Sequence, residues 1–498
     1  MLNFILGGLL IFALAPFYIL PLLIVSLSGL LWQISTAPTL KSAIGRSYAF
    51  GFGYYLIGLS WIGVAFLHFP NPLEPNKLLG ISLAIPAILA IAASLSLFFI
   101  LLCILSLYST KKGLWGVLNQ AAIWTFISFL QGHLFTGFPW NPLAISFTFH
   151  PILMQPAAFL SSYGLSFIAA CLGYSLYGFY GRFRTKSFGV FVIGLLAIFS
   201  LSAMRYYYYD AQLKKTPEIA KIRAIQTGIS LKDKWDYNQF WDHMALVEGM
   251  LKDGDADYDA AILGETALPF LIDQDDANRL ELTSYLPANA YLLIGANQLY
   301  KGDYMRPQNT FVALNNQGQI IYSYAKTHLV PFGEYTPKWL PFDKFIPMPG
   351  IYVKGNGPQT YELPAFSYGP NICYEGIFSG AIIDEKNKPD VIINVAIDGW
   401  YGNTHGPRQH AAQQLLRAVE ESIPLIRVTD NGVSFAANAL GKIEHQININ
   451  QINYFDYAIK NKELLNTSPH VAKYFLVIIL LLIICSQNCY FTQVANKH

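Results

Sequence analysis

The sequence predicts a multi-pass α-helical membrane bundle joined to a layered α/β domain, on three observations. The first is the distribution of charge. Of 498 residues, 53% are hydrophobic and 13% charged, against about 25% charged in an ordinary soluble domain. The deficit is uneven: between Met1 and Tyr209 the only acid is Glu74, and most of the charge lies between Asp210 and Lys473. The second is a series of uncharged runs long enough to cross a bilayer. The third is a change of pattern after residue 220, to short β-rich runs alternating with amphipathic helices.

The apolar runs come first. Pro16 and Pro21 divide the opening stretch into helices over Phe4–Ala15 and Tyr18–Gln33. Ala13-Leu14-Ala15 resembles a signal cleavage site, but no basic segment precedes it and apolar sequence continues past it. Ser47–Phe69, Leu78–Tyr108, Trp115–Phe135, Pro156–Tyr180 and Ser187–Met204 are the next five spans, and Val471–Tyr490 is the eighth. Lys41 and Arg46, then Lys111 and Lys112, then Arg182, Arg184 and Lys186 occupy alternate loops. Basic loops stay in the cytoplasm. Both termini are therefore expected there, with Tyr209–His470 on the far side, which for a bacterial chain is the periplasm. Trp61, Trp140 and Tyr206–Tyr209 fit an interfacial aromatic belt. Asn119, Gln131 and His133 read as helix–helix hydrogen bonds. With no ionised residue mid-span, a proton-coupled transporter lacks its usual machinery. A net charge of +2 without a basic cluster gives no reason to expect nucleic acid.

In the second half, strands are expected over Lys221–Thr227, Asp259–Gly264, Tyr291–Asn297, Asp390–Ala396 and Leu425–Thr429. Hairpins turn at Asn315–Gly318 and Asn438–Gly441, and helices span Asn238–Leu251 and Gln409–Glu421. Ala365–Cys373 reads as a strand running into a helix over Gly376–Asp384. The expected organisation is seven spans over 1–205, a linker over 206–220 and a catalytic domain over 221–457. A second linker over 458–470, an eighth span over 471–490 and a cytoplasmic tail over 491–498 complete it.

Of five cysteines, four lie in apolar segments, and only Cys373 belongs to the soluble part. No Cys/His cluster has metal-ligand spacing, so neither metal nor cofactor is expected. Cys373 ends a strand before the expected helix, whose N-terminus would favour a thiolate. Glu265 also ends a strand; a carboxylate there, raised in pKa by desolvation, would accept the thiol proton. Lys326 follows a hairpin strand, and its ammonium would stabilise an oxyanion. His328, two residues on, is the alternative base. Glu334 is a partner for the lysine or for a substrate amine, Glu375 a helix cap, and Trp235 a lid or acyl contact. Leu340–Gly357 is too apolar and too rich in proline and glycine for a regular element, and reads as a loop dipping toward the bilayer.

These residues resemble the nitrilase superfamily, an αββα sandwich with a Glu-Lys-Cys triad, and the whole chain resembles the bacterial apolipoprotein N-acyltransferases. The motifs are Ala15-Pro16-Phe17, Phe135–Trp140, Lys326-Thr327-His328-Leu329-Val330-Pro331-Phe332-Gly333-Glu334, Cys373-Tyr374-Glu375, Asp398–Gly402 and Thr429–Gly432. The resemblance implies Glu265, Lys326 and Cys373 as catalytic and Trp235, Glu334, Tyr374 and Glu375 as supporting or substrate-binding. It implies a phospholipid acyl donor, a thioester on Cys373 and a diacylglyceryl apolipoprotein acceptor. Two positions depart from the family pattern, Ile397 in place of Asn and Gln131 in place of a charged residue. A membrane-tethered amidase acting on a soluble amide, or a non-catalytic lipoprotein-binding or transport protein, are the alternatives.

Overall fold

The computed structural model describes residues 1–68, 76–109, 113–180, 185–254, 257–300, 302, 306–337 and 352–461. The expected eighth span, the Lys111–Lys112 and Arg182–Arg184 loops and most of the apolar segment at 340–357 lie outside the described residues.

The first half is helical: α1 (Leu2–Ile11), α2 (Leu20–Ser35), α3 (Leu40–Gly58), α4 (Ile62–Phe66), α5 (Lys77–Tyr108) and α6 (Gly113–His133), then α7 (Pro151–Met154), α8 (Ala157–Gly173), α9 (Ser175–Tyr180) and α10 (Thr185–Leu213). By length and composition Lys77–Tyr108, Gly113–His133 and Phe188–Leu213 are each sufficient to cross a membrane, and α1, α2 and α8 are shorter apolar helices. Ile81, Ile85, Leu89 and Leu97 on α5, and Ile193, Leu196 and Leu201 on α10, are exposed, as lipid-facing residues must be. Neighbouring α1 and α3 cross with their backbones in contact. A Cβ on Gly7 would collide with the Phe50 carbonyl, and one on Gly53 with that of Phe4.

Two expected spans change shape. The run expected over Ser47–Phe69 is a helix from Leu40, because Thr39 Oγ1 accepts the Ser42 N–H (3.2 Å) and caps it there. It ends at Gly58, turns, and resumes as α4. Lys41 and Arg46 thus sit at the start of α3, with Arg46 donating to Gln33 O of α2 (2.8 Å). The run expected over Pro156–Tyr180 is interrupted at Ser161 (φ 60°) and again between Gly173 and Ser175.

The second half forms two six-stranded sheets. One has the order β12-β1-β2-β3-β4-β5, from β1 (Glu218–Gln226), β2 (Ala260–Leu263), β3 (Tyr291–Leu299), β4 (Pro307–Leu314), β5 (Ile320–Ala325) and β12 (Asn453–Lys460). The other has the order β11-β10-β9-β8-β7-β6, from β6 (Tyr361–Glu362), β7 (Ser367–Ile372), β8 (Val391–Ala396), β9 (Leu425–Thr429), β10 (Ser434–Ala437) and β11 (Ile443–Ile447). Strands β1–β3 and β7–β9 run parallel within their sheets. Such strands are buried on both faces, which is why Ala-Ala-Ile-Leu and Val-Ile-Ile-Asn-Val-Ala read as continuous apolar runs. Between the sheets lie Ile222, Ile262, Leu293, Ile393, Val395 and Val428.

Outside the first sheet pack α11 (Leu231–Lys234), α12 (Phe240–Lys252) and α13 (Asp276–Ser284); Phe240, Val247, Leu251 and Leu282 form the core there. Outside the second lies α14 (His405–Glu421), giving the layers of an αββα sandwich. Helix α14 is buried on both sides. Leu415, Leu416 and Val419 share one apolar core with Leu165 and Ile168 of α8, so α14 lies between the sheet and the membrane block. Each such Leu, Ile or Val contributes roughly 1.5–3 kcal/mol by burial.

Candidate active site

The site is built at the carboxyl ends of parallel strands, where backbone polar groups are released from the ladder. Glu265 lies two residues beyond β2 and is buried. Its Oε1 accepts from Lys326 Nζ (3.2 Å) and Asn309 Nδ2 (2.7 Å). Its Oε2 accepts the Ile397 N–H (2.9 Å). Because Ile397 acts through its backbone, its departure from the family's Asn leaves that bond intact. Lys326 follows β5; its Nζ donates to Glu334 Oε1 (2.7 Å) as well as to Glu265. Cys373 follows β7 in the opposite sheet and is buried, close enough for the Glu265 and Lys326 charges to act on its thiol. Glu265 and Lys326 are bonded directly, and Cys373 lies beside them.

Cys373 does not lead into a helix. A five-residue 3-10 turn, Cys373–Ile377, follows it, and irregular chain replaces the helix expected over Gly376–Asp384. A Cβ at Gly376 would collide with the Gln414 side chain, and Gly380 turns the chain at φ 70°. Cys373 itself has φ 52°, in the left-handed region that a residue with a Cβ adopts only under constraint.

The charges follow from the geometry. Burial alone would raise the Glu265 carboxyl, but the Lys326 charge and hydrogen bonds from Asn309 and Lys326 outweigh it and hold the group below its ordinary value. Burial opposes the Lys326 ammonium, yet Glu265 and Glu334 hold its pKa well above the usual lysine range. The thiol goes the other way. Burial, then the Glu265 charge, push Cys373 well above its ordinary value, and Lys326 offsets only part of this. Two carboxylates already face one ammonium, so a thiolate would add a second uncompensated charge. The resting site is carboxylate, ammonium and thiol. This corrects two expectations, a raised glutamate and a thiolate favoured by a helix N-terminus.

The supporting residues divide. Glu334 braces Lys326, and its Oε2 accepts the Val330 N–H (2.7 Å). Glu375 does not cap an α-helix. Its Oε2 accepts the Ile372 N–H (2.8 Å) and closes the short turn. Its Oε1 accepts from Thr327 N (2.6 Å), Thr327 Oγ1 (2.7 Å) and Tyr324 Oη (2.9 Å). One buried carboxylate therefore ties the lysine loop to the cysteine turn. Tyr374 is buried and donates to Gly137 O (3.0 Å), in the loop after α6. That loop is braced by Gln131, which donates to Phe138 O (2.8 Å) and accepts from Tyr55 (2.9 Å). Trp235, half-buried, ends the short α11 next to Lys234. His328 stacks on Phe378 (4.3 Å between ring centroids). Trp61 and Trp140 form no exposed belt: they pack on each other (4.6 Å) and bury against Tyr401. Tyr207 and Tyr208 are exposed as expected.

Sequence reasoning missed the buried groups behind the site. Lys234 Nζ donates to the Glu265 carbonyl (3.1 Å) and pairs with Asp430. Arg427 donates to both oxygens of Asp398 (2.9 and 2.8 Å), and His410 lies between Asp398 and the Cys373 carbonyl. A signal was present for one of them. Arginine inside Leu425-Ile426-Arg427-Val428 is a charge in a core strand, which requires a buried partner.

Two family models match the chain. Residues 6–175 match the apolipoprotein N-acyltransferase N-terminal domain, and residues 279–459 match carbon-nitrogen hydrolase. The second contains Lys326 and Cys373, while Glu265 lies before it. The chain is 32% identical to the apolipoprotein N-acyltransferase of Rickettsia typhi over 471 residues, 92% of this chain and 91% of that one. It is 31% identical to that of Rickettsia prowazekii over 460 residues, covering 90% and 89%. It is 29% identical to that of Rhizobium rhizogenes over 503 residues, covering 95% and 92%. Helical membrane block, αββα sandwich and full-length similarity agree, and the chain belongs to the apolipoprotein N-acyltransferase family.

Proposed function

We propose that this protein moves a fatty acyl chain from the sn-1 position of a phospholipid, through a thioester on Cys373, to the N-terminal α-amine of S-diacylglyceryl-cysteine on apolipoproteins. The observation that carries this is the buried Cys373 thiol beside the bonded Glu265–Lys326 pair, in a domain that rests on the membrane block through α14 and Tyr374.

The steps balance without a cofactor. The sulfur attacks the ester carbonyl as Glu265 takes the thiol proton, so no free thiolate accumulates. Of the three Lys326 hydrogens, two go to carboxylates and one remains for the oxyanion. The carbon–oxygen bond breaks, Glu265 protonates the departing lysophospholipid, and the thioester remains. The lipoprotein amine then attacks, Glu265 takes its proton, the carbon–sulfur bond breaks and the thiol is re-formed. The order is ping-pong. In this reading Glu334 fixes Lys326, Glu375 and Tyr374 fix the cysteine turn, and Trp235 contacts substrate. The catalytic domain, 221–457, faces the periplasm from an inner membrane with both termini in the cytoplasm.

An amidase would use the same triad; the membrane block and the named relatives favour lipid. The test is transfer of label from phosphatidylethanolamine to a synthetic diacylglyceryl-cysteinyl peptide by the full-length protein in micelles. Label from sn-1 should appear on the peptide amine with wild type and not with Cys373→Ala. Transfer from sn-2 alone, or hydrolysis of simple amides with no acyl transfer, contradicts the reading.

A further inference from the structure

We infer that His410 is a positioning residue for the nucleophile: it donates Nε2–H to the Cys373 carbonyl and so holds the turn that aims Sγ at Glu265. This rests on the reading of Cys373 above.

The need for such a device is visible in the backbone. A cysteine at φ 52° is strained and persists only where its surroundings over-determine it. The constraint falls on its carbonyl. Gln414 Nε2 donates to that oxygen (3.1 Å), Asn394 Nδ2 lies at 3.5 Å, and His410 Nε2 at 3.1 Å. Rotating this peptide would carry the sulfur away from the carboxylate.

His410 is fully buried, and its protonation can be worked out from its neighbours. Nδ1 faces Asp398 Oδ1 (3.0 Å) and Arg427 Nη2 (3.1 Å). Nε2 faces the Cys373 carbonyl, which carries no hydrogen, and Gln414 Nε2 (3.4 Å), a donor to that same carbonyl. A neutral imidazole with its proton on Nδ1 would set its Nε2 lone pair against the carbonyl oxygen. Both remaining forms put the proton on Nε2. In the charged one, Nδ1 donates to Asp398 Oδ1; in the neutral one, Nδ1 accepts from Arg427, whose charge offsets the Asp398 oxygen that Nδ1 also faces. Burial and then the Arg427 charge lower the His410 pKa, which favours this neutral form. Asp398 and Arg427 thus fix the tautomer, the tautomer fixes the carbonyl, and the carbonyl fixes the sulfur. From the opposite side, Trp140 of the membrane block lies against the His410 ring (5.6 Å) and donates to Gln409 (3.2 Å).

The test uses full-length protein in micelles and acyl-enzyme formation from labelled phospholipid. His410→Phe keeps a ring of similar size without a donor; His410→Gln places an amide nitrogen where Nε2 was. The Phe variant should lose about 100-fold in kcat, the scale of a small misplacement of a reacting atom, with KM within about twofold. The Gln variant should recover to within about tenfold of wild type. In wild type, selective 15N-histidine labelling should show a protonated Nε2, a readout that does not depend on the variants folding. An unprotonated Nε2, a Phe variant equal to wild type, a loss confined to KM, or Phe and Gln variants equally impaired each overturns the inference. Cys373→Ala is assayed beside them. If it stays active, the nucleophile reading fails; if it is dead while His410→Phe matches wild type, only the role of His410 fails.

Discussion

The membrane block and the catalytic domain bury polar groups in different ways. In the block they are mostly neutral, and several are met by one near neighbour: Ser28 donates to Gly173 O (2.7 Å), Ser47 to Phe99 O (2.8 Å), and Tyr55 to Gln131 (2.9 Å). In the catalytic domain, whole charges are buried in pairs: Lys326 with Glu265, Lys234 with Asp430, Arg427 with Asp398. Buried ions occur where the two parts join. Arg205 of α10 donates to Ser422, and Arg417 pairs with Glu420 (2.7 Å) while donating to Ser162 (2.9 Å). Desolvating a charge costs several kcal/mol, so the distribution shows where charge serves a purpose. The block supplies shape and apolar surface; the sandwich supplies a fixed electrostatic field, and the field acts on the sulfur.

This difference can be broken most severely at the base. Glu265→Gln keeps the size and the Asn309 contact but cannot take a proton. Turnover should fall about 10²–10⁴-fold, whereas His328→Phe should stay near wild type; the reverse result would transfer the base to the histidine. Next in size is Arg427→Met, which leaves Asp398 buried and unpaired. About 3–5 kcal/mol of stability should be lost, read from thermal denaturation in detergent, and Asp398→Leu in the same chain should restore much of it. An unchanged midpoint in the single variant would deny that the pair matters.

A smaller effect sharpens the contrast between the half-reactions. The Glu265 carboxylate is present above its folded pKa and lost as pH falls through it, and that pKa lies below the ordinary glutamate value. Thioester formation should therefore be flat from about pH 5 to 7, since the thiol stays protonated throughout. Transfer to an α-amine of pKa about 7.7–8.0 should rise about tenfold per unit over that range. Parallel profiles for the two halves would contradict this. Smallest is Tyr374→Phe, which removes one neutral hydrogen bond between the two parts. It should cost about 1 kcal/mol of stability, and a loss of several kcal/mol would mean the tyrosine does more than dock.

Much of this was readable in the sequence, for physical reasons. Parallel strands buried on both faces show as apolar runs, so β2, β8 and β9 are found near their expected ends. The proposed catalytic groups at strand ends are legible because the motif and the end of the strand coincide, as at Glu265 and Cys373. Strand β12 escaped notice, although Phe455, Tyr457 and Ile459 alternate inward, as did α13. The short turn in place of a helix after Cys373 was not legible, because the groups that hold it are distant in sequence: Gln414 and Asn394 bond the Cys373 carbonyl. The direction of the thiol and carboxyl shifts was unreadable for the same reason. Both depend on counting charges brought together from Glu265, Lys326, Glu334 and Cys373 across two sheets.

The central claim is that Cys373 sulfur carries the acyl group. Incubating the purified full-length protein with phospholipid and no acceptor, then mapping its peptides by mass, tests it directly. The account predicts one fatty acyl mass on the Cys373 peptide, released by hydroxylamine, discharged by an acceptor amine and absent from Glu265→Gln. Acyl transfer to the acceptor with Cys373 never modified would contradict it.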